Sequence, residues 1–147
     1  MYGTHMLADY IEQLCDTFRD GICVTDHRGI VVLVNQRHAV LTGIPREKML
    51  GMCVQDMVQN GVFSTVLNSR VVQSGEKISG VQHLFNGRTL LLNGYPVKDA
   101  SGSVVYVITT IRDVTALAEL REEIAAQKEL LETFQALSND AAGIGSV

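Results

Sequence analysis

The sequence contains no tryptophan, two prolines, three cysteines and only 5% aromatic residues. With so few aromatics, any core must be packed from aliphatic side chains. Apolar residues make up 46% of the 147, enough for one domain with a real core plus a helix, and global disorder is excluded. Cys15, Cys23 and Cys53 are an odd set without short spacing, as expected of reduced thiols in a cytoplasmic protein. No Lys/Arg cluster is present and the net charge is -4, so direct nucleic-acid binding through phosphates is not expected. Met57–Ser69, the longest stretch free of charge, is partly polar and shorter than the roughly 20 apolar residues a membrane helix needs. The first residues lack a charged start and an apolar run, so no secretory signal is expected.

Enzyme signatures are missing too. There is no Walker Gly-Lys-Ser/Thr, no His-Glu-x-x-His and no Gly-x-Ser-x-Gly. Gly143-Ile144-Gly145 is too short to mean dinucleotide binding, and no base is evident for a catalytic cysteine. The expectation is a chain without catalytic residues and without a metal site.

What is there is well punctuated. Residues 1–6 read as a cloning remnant, and Leu7, Tyr10, Ile11, Leu14 and Phe18 make an amphipathic helix over 7–19. Asp26-His27-Arg28-Gly29 separates the β-rich runs Gly21–Thr25 and Ile30–Val34. Asn86-Gly87 separates Lys77–Phe85 from Arg88–Val97, with both turn residues expected at positive φ. Asp99-Ala100-Ser101-Gly102 precedes a last strand, Ser103–Arg112. Between the early and late strands, Asn35 caps a helix running to Gly43, Pro45–Leu50 is one turn of helix, and Gly61–Gln73 is a longer helix closed by Gly75. The pattern is α+β: a five-stranded antiparallel sheet with helices on one face. The late strands are apolar at consecutive positions, so both sheet faces should be covered, the outer one by the N-terminal helix or by a partner subunit.

Residues 116–137 form a C-terminal helix. Leu117, Leu120, Ile124, Gln127, Leu131 and Phe134 fall at a and d of a heptad, with Glu123 at g and Lys128 at the following e. That charge pair meets across a parallel two-stranded seam, so a homodimer through a coiled coil is expected. Residues 138–147 have no period and read as linker.

Asp20-Gly21-Ile22, Asp26, Gly29, Val34-Asn35, Leu41-Thr42-Gly43 and Leu50-Gly51 resemble the first half of a PAS domain. Gly87-Arg88, Gly94-Tyr95-Pro96-Val97, Asp99, Gly102 and Arg112-Asp113-Val114-Thr115 resemble the second, the last being similar to the family's closing Asp-Ile-Thr. The resemblance spans 20–115. Asn60-Gly61-Val62-Phe63-Ser64, with the Gly-Arg and Gly-Tyr-Pro-Val stretches, is similar to the sensory PAS domains that precede the AAA+ motor of sigma-54-dependent transcriptional activators. Histidine kinases and diguanylate cyclases carry similar modules, and a ligand-free protein–protein interaction module is the competing class.

The resemblance implies a pocket between sheet and helices, lined by His38, Thr42, Phe63, Leu67, Leu90, Leu92, Val107, Thr109 and Ile111; a fully packed core is the alternative. It also implies signal coupling through Asp113 and Thr115, where the last strand hands over to a helix. Flavin-binding relatives carry Cys in an Asn-Cys-Arg-Phe-Leu-Gln run. Here the comparable stretch is Gly51-Met52-Cys53-Val54-Gln55-Asp56, and Leu90 stands where a flavin-binding Asn would. Met57–Ser74 offers no axial His. No flavin, haem or other cofactor is expected, while a small-molecule ligand is compatible with the pocket.

Overall fold

The computed structural model describes the backbone of residues 2–59, 67–84 and 86–145, and the side chains of residues 7–59, 67–84 and 86–140. The elements are α1 (Tyr2–Asp16), β1 (Gly21–Asp26), β2 (Val31–Val34), α2 (Gln36–Thr42), α3 (Arg46–Met49), α4 (Val54–Gln59), α5 (Asn68–Ser74), β3 (Ile78–His83), β4 (Thr89–Lys98), β5 (Val104–Asp113) and α6 (Thr115–Gly145). Residues up to Val114 form one compact unit, and the helix from Thr115 forms a second.

The turns follow from local chemistry. Asp26 Oδ1 accepts hydrogen bonds from Arg28 N and Ile30 N, and Gly29 takes the left-handed φ of 86° that ends the turn. Asp99 repeats this wiring with Ser101 N, Ser103 N and Gly102. At Asn86-Gly87 only Gly87 has positive φ, so the expected primed turn is replaced by a longer loop with Leu84 N donating to Arg88 O.

All strand pairs are antiparallel, in the order β2-β1-β5-β4-β3. The first and last strands of the chain thus sit side by side at the centre. Gly21 pairs with Ile111, which pairs with Leu92, which pairs with Gly80; the next row is Cys23, Thr109, Gly94 and Ile78. These rows lie on the face that the helices cover. Leu41, Leu67, Val71, Leu90, Leu92, Val107 and Ile111 pack into one buried cluster there, and Cys23, Val31, Val34, Met49, Val54 and Met57 into a second.

Gly21 lets α2 close on this face. A Cβ at Gly21 would lie 2.9 Å from His38 Cα and 2.5 Å from Ile111 Cγ1. Because one contact is backbone, the clash has no flexible escape. Gly21→Ala is expected to destabilise the domain by about 1–3 kcal/mol, read as a lower urea midpoint; an unchanged midpoint would show that α2 can retreat at no cost.

Several sequence expectations shift. The last inter-strand helix is α5 from Asn68; residues 61–66 of the expected Gly61–Gln73 helix lie outside the described residues. An unexpected α4 precedes it, burying Val54 and Met57 one turn apart. Helix α1 begins at Tyr2, inside the residues read as a remnant, and ends at Asp16. Helix α6 continues to Gly145, into the segment 138–147 read as linker; the last two residues of that segment lie outside the described residues. That segment contains no proline to stop a helix already propagating, and propagation needs no apolar period.

The outer sheet face is not covered by α1. Tyr10, Ile11 and Leu14 of that helix are 42–50% exposed, and Val81, Tyr95 and Tyr106 on the sheet are also exposed. Of the two covers expected from the sequence, the N-terminal helix of the same chain is therefore ruled out.

Candidate functional site

The site begins with Asn35, 1% exposed. Its Oδ1 accepts from Ile22 N (2.8 Å) and His38 N (3.0 Å), and its Nδ2 donates to Cys15 O (2.9 Å) and Asp20 O (3.0 Å). One amide thus caps α2, starts β1 and holds the end of α1. Asp16 adds to the joint by accepting from Gln36 N at 2.7 Å and pairing with Arg46. With the first turn of α2 so fixed, His38 is turned inward rather than to solvent, at 4% exposure.

His38 faces a cavity of about 60 Å³ between the sheet and the helices. β1 contributes Cys23 and Thr25, and α2 contributes His38 and Thr42. Met49 and Val54 come from α3 and α4, and Leu67 and Asn68 from the start of α5. Gln82, Leu90, Leu92, Thr109 and Ile111 of β3, β4 and β5 form the floor.

Three of the polar lining residues are incompletely bonded. Among the described residues, His38 Nδ1, Asn68 Oδ1 and Gln82 Nε2 are buried and have no hydrogen-bond partner. Buried polar atoms are nearly always paired, since leaving one unpaired costs about 1–3 kcal/mol. Of the four such atoms among the described residues, three border this one cavity and only Arg46 Nε lies elsewhere, so the clustering is a feature of the cavity. Asn68 itself is oriented, because its Nδ2 donates to Thr25 Oγ1 at 2.6 Å and to Asp26 O at 3.3 Å, which aims Oδ1 elsewhere.

Among the described residues, no Asp, Glu, Lys or Arg lines the cavity. Burial pushes the His38 imidazole down to a pKa of about 4, so it is neutral near pH 7, and pushes the Cys23 thiol up to about 12, so it is protonated and a poor nucleophile. Among the described residues no three His, Cys, Asp or Glu side chains are grouped to hold a metal, and no helix is long and apolar enough to cross a membrane.

Of the pocket residues read from the sequence, His38, Thr42, Leu67, Leu90, Leu92, Thr109 and Ile111 line this cavity. Phe63 lies outside the described residues. Val107 shares the inner face, opposite Thr25, but is not among the residues lining this cavity; it is buried in the packed cluster that includes Leu67 and Val71. Cys23, Thr25, Met49, Val54, Asn68 and Gln82 were not anticipated. Cys23 and Gln82 follow from register, since they oppose Thr109 and Leu90. Cys53 does not line the cavity; its thiol donates to Gln55 Oε1 at 2.9 Å.

At the end of β5, Asp113 Oδ2 lies 3.8 Å from Arg88 Nη1, and Val114 N donates to Thr89 O at 2.9 Å. Arg112 and Asp20 form a two-pronged pair at 3.1 and 3.2 Å. Thr115 opens α6. Along α6, the seam positions Leu117, Leu120, Ile124, Leu131 and Phe134 are 51–68% exposed, and Gln127 is exposed with them. Among the described residues of the helix unit, this apolar stripe has nothing to pack on.

A family profile described as PAS fold matches residues 15–119. The chain belongs to the PAS fold family, whose domains are sensory modules. No curated protein gives a significant match. Among solved structures, an RNA-binding light-oxygen-voltage receptor is 18% identical with a TM-score of 0.68; the alignment covers 90% of this chain and 39% of that one. The PAS domain of Bordetella pertussis BvgS is 21% identical with a TM-score of 0.59, covering 84% and 98%. A sensory box sensor histidine kinase from Vibrio cholerae is 15% identical with a TM-score of 0.55, covering 78% and 98%. At these identities the likeness is one of fold.

Proposed function

We propose that this domain is a cytoplasmic sensory and dimerisation module without catalysis of its own, which binds a small molecule in the cavity and regulates a following output domain. The observation that carries the reading is the course of β5. It walls the cavity at Thr109 and Ile111, ends at Asp113 beside Arg88, and is followed at Thr115 by α6. A ligand that displaces Thr109 or Ile111 strains the same strand that holds the Asp113–Arg88 pair and the Val114–Thr89 bond. Asp113 and Thr115 are then the coupling residues. A cavity of about 60 Å³ favours a few-atom ligand over flavin or haem.

The output we propose is the AAA+ motor of a sigma-54-dependent transcriptional activator, on the sequence similarity around Asn60–Ser64. A histidine-kinase output is the second reading, favoured by the fold neighbour described as a sensor histidine kinase from Vibrio cholerae. Reading the gene downstream of Val147 separates them: a Walker motif supports the first, a phospho-acceptor histidine helix the second.

The dimer is proposed to be parallel, through the α6 seam. Ile124→Glu places a charge at an a position facing its own copy, at a cost of about 3 kcal/mol or roughly a hundredfold in Kd. Sedimentation equilibrium is expected to give a dimer for the natural sequence and a folded monomer for the variant. A monomeric natural chain, or a dimeric variant, would show that α6 is not the interface.

A further inference from the structure

The small-molecule reading above leaves the chemistry of the ligand open, and the cavity wall narrows it. We propose that the cavity selects a small uncharged molecule carrying both a hydrogen-bond donor and an acceptor, of the chemistry of a short carboxamide, and rejects the matching carboxylate. The inference rests on the cavity being a ligand site and adds its specificity.

The size sets the first bound. At about 10–15 Å³ of cavity space per water, a cavity of about 60 Å³ admits about four to six water-sized groups, hence a molecule of roughly four to six non-hydrogen atoms. The orphan atoms set the second. Asn68 Oδ1 can only accept, and its orientation is fixed because its Nδ2 donates to the carbonyl of Asp26. The ligand must therefore bring a donor. Gln82 Nε2 is an unpaired donor, so the ligand must also bring an acceptor. His38 Nδ1 completes either role according to tautomer. An amide group carries both functions on one carbon.

The third bound is charge. A buried anion needs a cation or several converging donors, and among the described residues no Lys or Arg reaches the wall. His38 is neutral near pH 7 and supplies no counter-charge. A carboxylate would also set its oxygens against Asn68 Oδ1, acceptor against acceptor. The remaining wall, with Met49, Leu67, Leu90 and Leu92, is apolar and suits a methyl group. Water alone would leave its apolar side without partners.

Acetamide and acetate are the test pair, being matched in size and shape. The full chain, labelled with 15N, is titrated with each at equal ionic strength and pH 7, following the side-chain amide signals of Asn68 and Gln82. A four-atom ligand cannot bind much more tightly than about 40 µM, so the titration runs to roughly 50 mM. Acetamide is expected to shift both signals saturably, and acetate at least tenfold more weakly. Gln82→Met, which removes an amide whose Nε2 is unbonded, is expected to keep the fold and weaken acetamide at least tenfold. Acetate binding as tightly as acetamide would overturn the inference while leaving a ligand pocket standing. Silence from both would overturn the inference and the pocket together. Acetamide binding unchanged in Gln82→Met would place it elsewhere and overturn the inference as well. Should that variant not fold, the acetamide–acetate comparison decides by itself.

Discussion

Asn35→Ala is expected to remove about 2–4 kcal/mol of stability, the largest effect of any single side chain at this site. The loss has two parts. The helix cap of α2 goes with the His38 N bond, and Ile22 N is left buried without its acceptor. The bonds to Cys15 O and Asp20 O go too, freeing the end of α1 from the sheet. Against a total stability of about 5–15 kcal/mol for a domain, this is a large fraction. Asn35→Asp keeps both acceptor bonds and loses the two donor bonds, so it should fall between the variant and the natural chain. Urea unfolding followed by circular dichroism gives the order. An Asn35→Ala midpoint equal to the natural one would show that the joint is held by other contacts, Asp16–Arg46 foremost.

The second large effect is acid destabilisation through His38. Burial holds the folded-state pKa near 4, against 6.5 for the free side chain. The unfolded chain therefore takes up a proton as pH falls through 6.5, while the folded chain does so only near 4. Stability is full above that window and declines across it, by about 1.4 kcal/mol per pH unit and on the order of 3 kcal/mol in total. His38→Gln should flatten this decline. Lower carboxylates act elsewhere. Asp16 is held below its usual range by the hydrogen bond from Arg46 and then by Gln36 N, and Asp99 by the Ser101 hydroxyl and then Ser103 N. Their contributions are present above the usual carboxylate pKa of 3.8 and are lost as pH falls through their lowered values, below the His38 window. Stability against pH should thus drop in two stages. A natural chain equally stable at pH 7 and pH 4.5 would overturn the buried neutral imidazole.

A site with three unpaired polar atoms is costly to an empty domain, and that cost bears on function. The same groups, satisfied by a ligand, return their desolvation penalty as binding energy. Thr109 and Ile111 of β5 line the cavity and would sense a bound ligand, and the strand's far end is tied by Arg88 and Thr89 to the start of β4. The proposed sensor therefore needs no large motion, only a change in how β5 packs over the cavity.

Much of this molecule is set within short windows of sequence. Asn35 and Gly43 bracket α2, and the two Asp-x-x-Gly turns build themselves from one carboxylate and one glycine, because capping and left-handed φ are matters of four or five residues. The inward set Leu90, Leu92, Thr109 and Ile111 also follows from strand alternation once the hairpins are placed. What sequence could not decide is which distant groups share a cavity. Gln82 becomes a pocket residue only because β3 sits opposite Leu90, and Cys23 only because the chain's first strand lies against its last. Asn68 joins them because α5 begins there, with its amide held by Thr25 and Asp26 from 43 and 42 residues away. Val107 shows the converse: the alternation that puts it inward does not say whether the space above it is empty or filled, and Leu67 and Val71 fill it. Local propensity chooses the elements and their faces, whereas register and packing between elements far apart in the chain decide where a void is left and which polar atoms are stranded around it.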